Sequence, residues 1–94
     1  MTTWQDRMAP RPPAPAPQVE RVTTFFRAQG PSQRALRCAV YRVATGLELR
    51  LEYEDREDLL RSQLFHVQDD AAIAALADDW RRALLGRHFT ELAP

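Results

Sequence analysis

Apolar and charged residues alternate strictly in the middle of the chain. The run reads Leu47, Glu48, Leu49, Arg50, Leu51, Glu52, Tyr53 and Glu54. A period of two is typical of a β-strand with one face buried and the other in water. Residues 36–43 precede this run and carry apolar side chains on both faces, which is typical of an interior strand. The two segments therefore predict an antiparallel hairpin.

The connection between these strands determines which residues face each other. Thr45 before Gly46 is a poor match to a two-residue turn, in which Asn or Asp usually precedes glycine. A three-residue loop over residues 44–46, with Gly46 in the left-handed conformation, is easier to form. That loop sets Arg42 opposite Glu48. A slip of one residue would exchange the two faces of the strand.

Three further segments complete the predicted elements. Residues 19–28 fit a helix or a strand, and the β-branched and aromatic cluster over residues 22–26 favours the strand. Residues 59–67 suggest another strand, with a helix starting near Glu57 as the alternative. Residues 70–85 predict a helix, with Asp69 or Asp70 as its N-cap and Gly86 at its end. Its apolar stripe consists of Ile73, Leu76, Ala77, Trp80 and Leu84.

These elements predict an α+β domain over residues 19–94. The expected architecture is an antiparallel meander of three to four strands, with one C-terminal helix packed on one face. Residues 1–18 contain five of the seven prolines and little that could be buried. Proline neither pairs in a sheet nor continues a helix, so this segment is predicted to be a disordered, Pro-rich tail.

Composition narrows the class of protein. The formal net charge is zero, with 13 basic and 13 acidic residues, so no overall field attracts nucleic acid or membrane. Residues 1–45 carry an excess of arginine and residues 46–94 an excess of acid, so the two halves neutralise each other. Cys38 is the only cysteine, which excludes an internal disulfide. No apolar run approaches membrane-spanning length and no signal peptide is recognisable, so we expect a cytoplasmic protein without membrane contact.

The sequence lacks the common catalytic and ligand-binding motifs. No glycine-rich phosphate loop and no His-Glu-x-x-His zinc motif occurs. A Cys38–His66 dyad is the best nucleophile that can be assembled, but a lone cysteine on an alternating strand is typically a small core residue. We therefore predict a non-enzymatic protein with no catalytic, cofactor-binding or metal-binding residues.

Arginine and tyrosine side chains on the predicted sheet and helix end are the candidate binding residues. They are Tyr41, Arg42, Arg50, Arg61, Arg81 and Arg82. We expect them to contact a protein partner, which includes a second copy of the chain. Nucleic-acid binding through the same arginines is the alternative, although glutamates on the same hairpin would repel phosphates. A pocket shared between two subunits of an enzyme is a third hypothesis.

Two runs of the sequence carry a resemblance. They are CAVYRVATGLELRLEYEDREDLLRSQLF from Cys38 and ADDWRRALLGRHFTEL from Ala77. Over about residues 30–92 the chain resembles short uncharacterised proteobacterial proteins with a β-hairpin followed by a C-terminal helix. The resemblance implies that architecture and assigns no activity or binding residue.

Overall fold

The computed structural model describes residues 19–55 and 58–93. Its elements are β1 (Glu20–Gln29), β2 (Ala35–Val43), β3 (Gly46–Tyr53), β4 (Leu59–Phe65), α1 (Asp70–Leu85) and β5 (Thr90–Leu92). The α+β class is confirmed, but the sheet has five strands within this part of the chain rather than three or four. The additional strand β5 has three residues, too few for an alternating pattern to reveal it. The predicted Pro-rich tail, residues 1–18, lies outside the described residues.

The sheet is an antiparallel meander with one added edge strand. Its order is β4-β3-β2-β1-β5. The strand prediction for residues 19–28 is confirmed by β1, and β2 is an interior strand between β1 and β3. After α1 the chain returns to pair β5 with the C-terminal end of β1, through Arg27, Ala28 and Gln29.

The turn between β2 and β3 differs from the prediction. Only residues 44–45 form the loop, and Gly46 already belongs to β3. The resulting pairs are Val43 with Gly46, Arg42 with Leu47 and Tyr41 with Glu48. Gly46 has a φ of 147°, and a Cβ there would overlap the backbone oxygen of Phe65 on β4. The glycine is therefore required by the close approach of β4. The strand pairs show that the predicted register is wrong by one residue.

The helix α1 spans the predicted residues. Its N-cap is Asp69, whose Oδ1 accepts a hydrogen bond from the backbone N–H of Ala72 at 3.0 Å. Gly86 follows the last turn in a right-handed conformation, and the left-handed residue of this connection is His88, with a φ of 66°. None of the helices among the described residues is long and apolar enough to cross a membrane.

One face of the sheet, here called the covered face, packs against α1. The helix contributes Ile73, Ala77 and Trp80, three members of its predicted stripe. The strands contribute Phe26, Ala28, Leu36, Cys38, Val40, Leu47, Leu49 and Leu51. Because side chains alternate along each strand, the residues between these lie on the opposite side, here called the open face.

Candidate interaction surfaces

The open face is organised around Glu52. The hydroxyl of Tyr41 and the Nη2 of Arg37 both donate hydrogen bonds to its Oε1, the latter at 3.0 Å. Although no helix of the described part of the chain lies on this face, Glu52 is only 3% exposed, because its neighbours' side chains cover it. Burial, reinforced by the hydrogen bond to Glu52, raises the pKa of Tyr41. Tyr41 therefore stays protonated at neutral pH and acts as a donor.

A second ion pair spans three strands of the same face. Arg27 on β1 lies directly opposite Arg37 on β2, a like-charge pairing that is unfavourable alone. Arg27 reaches past β2 to Glu54, with Nε–Oε2 at 2.7 Å and Nη2–Oε1 at 2.9 Å. This bidentate contact lowers the pKa of Glu54. Each of the two arginines thus has its own glutamate at the end of β3.

Two of the predicted binding residues, Tyr41 and Arg50, are neighbours on the open face. The Arg50 guanidinium lies over the Tyr41 ring, 4.7 Å from its centroid, and its Nε donates to Glu48. Both side chains therefore have contacts within the chain that restrict their rotamers. Both residues were predicted as binding residues, but the predicted register set Arg42, rather than Tyr41, opposite Glu48.

Arg42 and Arg61 lie on the covered-face side of the sheet. Arg42 is at the end of β2, largely exposed, and its Nε is 3.8 Å from Glu20 Oε2. Arg61 on β4 lies over the Trp80 ring of α1, 5.8 Å from its centroid. Neither side chain shares a surface with Tyr41 and Arg50. Arg42 follows Tyr41 on β2 and therefore points to the opposite face, and Arg61 lies opposite Leu51, a residue of the covered face.

Arg81 and Arg82, at the end of α1, are engaged with acidic residues. Arg81 donates to Asp78 Oδ1 at 2.7 Å and to Glu91 Oε1 at 3.1 Å, which joins α1 to β5. The hydrogen bond from Arg81 lowers the pKa of Asp78. Arg82 contacts Asp78 and Asp79 at 2.9 and 3.1 Å. Arg81 therefore links α1 to β5, a contact that the sequence pattern does not indicate.

Seven arginines within residues 19–55 and 58–93 lie within 3.8 Å of a carboxylate. Those without such a contact in this part of the chain are Arg21, Arg61 and Arg87. Arg61 and Arg87 line a cleft of about 280 Å³ beside Trp80, between α1 and the sheet. Arg21 lies opposite Tyr41 and so belongs to the open face. The arginines that lack a carboxylate are therefore divided between the two faces.

The geometry does not assemble the Cys38–His66 pair. Cys38 is fully buried on the covered face, and burial raises the pKa of its thiol to about 12. His66 is exposed beyond the end of β4, on the far side of β3. A thiolate nucleophile therefore does not form near neutral pH. Among the described residues, no group of three or more metal-ligating side chains is close enough to hold an ion.

Two features of these surfaces are not evident from the sequence pattern. Arg37 and Glu52 become the centre of the open face only once the register of β2 and β3 is known. The edge strand β4 bears Leu59 and Leu60, both about half exposed. Alternation alone predicted β4 as a strand but did not indicate that it forms the edge of the sheet.

Comparison with known proteins gives no relative. No protein-family model, no curated protein and no solved structure matches the chain.

Proposed function

We propose that the protein is a non-enzymatic, cytoplasmic interaction module that self-associates and whose sheet binds a protein partner. The observation that carries this proposal is the pairing of the arginines on the open face. Arg27, Arg37 and Arg50 each contact a glutamate, so most of the positive charge on this face is neutralised within the chain and the paired side chains are restrained. Fixed side chains lose little conformational entropy on binding, which favours a protein interface.

The same pairing weighs against nucleic-acid binding, the alternative function. A phosphate backbone would have to displace glutamates from the arginines of the open face, or approach those glutamates directly. The arginines without a carboxylate contact, such as Arg21 and Arg61, lie on different faces and do not form a continuous track. A strand of phosphates needs a continuous positive groove.

Sedimentation velocity of the full chain over a range of concentrations, and a binding titration with a labelled single-stranded oligonucleotide, test the proposal. We expect a dimer whose dissociation constant changes little between about 50 and about 500 mM salt, and no oligonucleotide binding at about 150 mM salt. A monomer at every concentration, together with oligonucleotide binding that falls steeply with salt, would reverse the ranking.

Arg50→Glu tests the open face itself. This change places two acidic groups side by side with Glu48 and removes the cation from the Tyr41 ring. Arg87→Glu, at the exposed residue that follows Gly86, is the matched control with the same charge change, because Arg87 is not a candidate binding residue. We expect Arg50→Glu, and not the control, to weaken retention of any protein partner purified from lysate. Equal retention by both variants would exclude the open face as the binding surface.

A further inference from the structure

The two edges of the sheet are built differently. On one edge, β1 has irregularities between Arg21 and Thr23 and between Thr24 and Phe26, and its C-terminal end is covered by β5. Bulges and covering strands are devices that prevent one sheet edge from pairing with another. On the other edge, β4 is irregular only near its start, opposite residues 51–52. From Arg61 to its end, β4 is regular, contains no proline and carries one charge.

The backbone groups that β4 leaves free can be identified from β3. The N–H of Tyr53 donates to Asp58 O at 2.9 Å, whereas the N–H of Glu54 donates to Ala35 O at 3.0 Å. Backbone groups alternate in direction along a strand, so odd-numbered residues of β3 point toward β4. Their partners on β4 are Phe65, Gln63 and Arg61, which point back toward β3.

It follows that Ser62 and Leu64 direct their N–H and C=O groups away from the sheet. In agreement, the carbonyl of Leu64 accepts a hydrogen bond from the side-chain amide of Gln63, at 3.3 Å. Outward-facing backbone groups of a regular edge strand that have no partner strand are a template for another strand.

Exposed apolar side chains are concentrated at the ends of this edge strand. Leu59 and Leu60 at its start are 52% and 50% exposed, and Val67 just beyond its end is 76% exposed. These are the three most exposed large apolar residues in the described part of the chain. A second β4 running antiparallel would bring the start of one strand beside the end of the other. Leu59 and Leu60 would then lie close to the Val67 of a second copy.

We propose that two copies of the chain join edge to edge through β4, antiparallel and centred on Gln63. Ser62 of each copy then exchanges hydrogen bonds with Leu64 of the other, because both residues lie one position from the centre. Arg61, the only charge on the strand, lies opposite Phe65 rather than opposite the second Arg61. The chain has zero formal net charge, so no overall repulsion opposes this contact.

This inference rests on the proposed self-association and assigns it to one strand. The occupant is a second copy because β4 is complementary to itself in length, hydrogen-bonding positions and placement of its apolar ends. The open face of each copy stays uncovered in such a dimer, so it remains available to another protein.

A charge exchange at the centre of the contact tests the assignment. Gln63→Glu places two carboxylates opposite each other, and we expect the dimer to weaken about tenfold or more in sedimentation equilibrium of the full chain. Gln63→Lys should have the same effect alone, and an equimolar mixture of both variants should restore a dimer. Ser32→Glu, in the exposed β1–β2 turn, is the control and should leave the dissociation constant unchanged.

Cysteine cross-linking tests the register. With Gln63 at the centre, the two copies of residue 63 form a non-hydrogen-bonded pair with Cα atoms about 4.5 Å apart, within reach of a disulfide. Under mild oxidation Gln63→Cys should form a covalent dimer. Arg61→Cys should not, since the two copies of residue 61 would be about 13 Å apart.

Each outcome bears on a different statement. A wild-type dimer that Gln63→Glu does not weaken would overturn the β4 assignment and leave self-association intact. A wild-type monomer at all concentrations would overturn the self-association itself. Cross-linking of Arg61→Cys in preference to Gln63→Cys would overturn the register centred on Gln63.

Discussion

The two faces of the sheet both contain side chains that are inaccessible to solvent, but different interactions bury them. On the covered face, Leu49 and its neighbours are removed from water by α1, and no polar group has to be satisfied. On the open face, Glu52 is equally inaccessible although none of the described helices and strands covers it, because Tyr41 and Arg37 pack over it. A residue on the face that has no helix packed against it can therefore still be inaccessible to solvent.

Apolar burial on the covered face and charge pairing on the open face contribute differently to the stability of the fold. Burial of an apolar side chain stabilises the fold by about 1.5–3 kcal/mol, and it does so without geometric precision. A paired charge contributes less, because the gain in attraction is offset by lost hydration. The Nε of Arg37 illustrates this cost, since it is buried without a hydrogen-bond partner. We therefore expect the covered face to contribute most of the free energy of unfolding. We expect the open face to determine which partner the protein binds.

Leu49→Ala should have the largest effect. Leu49 is fully buried at the centre of the covered face, so its truncation leaves a cavity and should lower the free energy of unfolding by about 2–5 kcal/mol. Leu64→Ala, a matched truncation on the open face, should cost about 1 kcal/mol or less because Leu64 is only half buried. Urea unfolding measures both. Equal losses would contradict the assignment of stability to the covered face.

Gly46→Ala should break the register that separates the two faces. The new Cβ would overlap the backbone oxygen of Phe65 at a φ that side chains rarely adopt, and we expect a loss of about 1–3 kcal/mol. Gly86→Ala is the control, because its φ is negative and the nearest atom lies 3.5 Å from the new Cβ. Urea unfolding of the control should agree with the wild type within about 0.5 kcal/mol. If Gly46→Ala is tolerated, the close approach of β4 does not require glycine at this position, and the turn alone sets the register.

Periodicity was sufficient to predict most of the fold. The helix and strands β2 to β4 follow from apolar patterns that extend over seven residues or more, whereas β1 was predicted from its β-branched and aromatic cluster. The turn was mispredicted because Gly46 is required by a close contact with Phe65, a residue about 20 positions away. Turn preferences describe only local geometry and do not include such a contact. β5 was missed because it forms by pairing with β1 and by the contact between Arg81 and Glu91, neither of which has a local signal.

The candidate surface was predictable only in part. Residue type alone identified Tyr41 and Arg50, which do lie together. It also grouped Arg42 and Arg61 with them. The predicted register set Arg42 opposite Glu48 and so on the face of Arg50, and a slip of one residue reverses that placement. No register was predicted for β4, so residue type alone could not tell on which face Arg61 lies. Glu52 was taken for a solvated charge, although it is the buried acceptor on which Tyr41 and Arg37 converge.

Glu52→Gln should show how far the open face depends on charge. The change keeps the shape of the side chain but gives Arg37 a neutral acceptor, so we expect a loss of about 1–2 kcal/mol in the free energy of unfolding. Tyr41→Phe removes the other donor to the same oxygen. The two single variants and the double variant form a thermodynamic cycle by urea unfolding, with an expected coupling of about 0.5 kcal/mol or more. Additive effects would mean that the three side chains do not act as one network.

Glu54→Gln should have the smallest effect and the clearest dependence on pH. The hydrogen bond from Arg27 lowers the pKa of Glu54 from its usual 4.5, so the folded state favours the carboxylate. A lowered pKa stabilises the fold at pH values above the unfolded-state pKa, and this contribution is lost as the pH falls through the folded-state pKa. Because both side chains are partly exposed, we expect the wild type to exceed the variant by only about 1 kcal/mol or less at pH 7.

The measurement is urea unfolding of both proteins from pH 7 downward. Asp78 also has a lowered pKa, and it titrates in both proteins, so its contribution cancels in their difference. That difference should shrink below about pH 4.5 and disappear once Glu54 is protonated in the folded state. It should also shrink at high salt, since an exposed pair is screened. A difference that stays constant with pH would place the role of Glu54 in its packing rather than its charge, and the open face would then resemble the covered face.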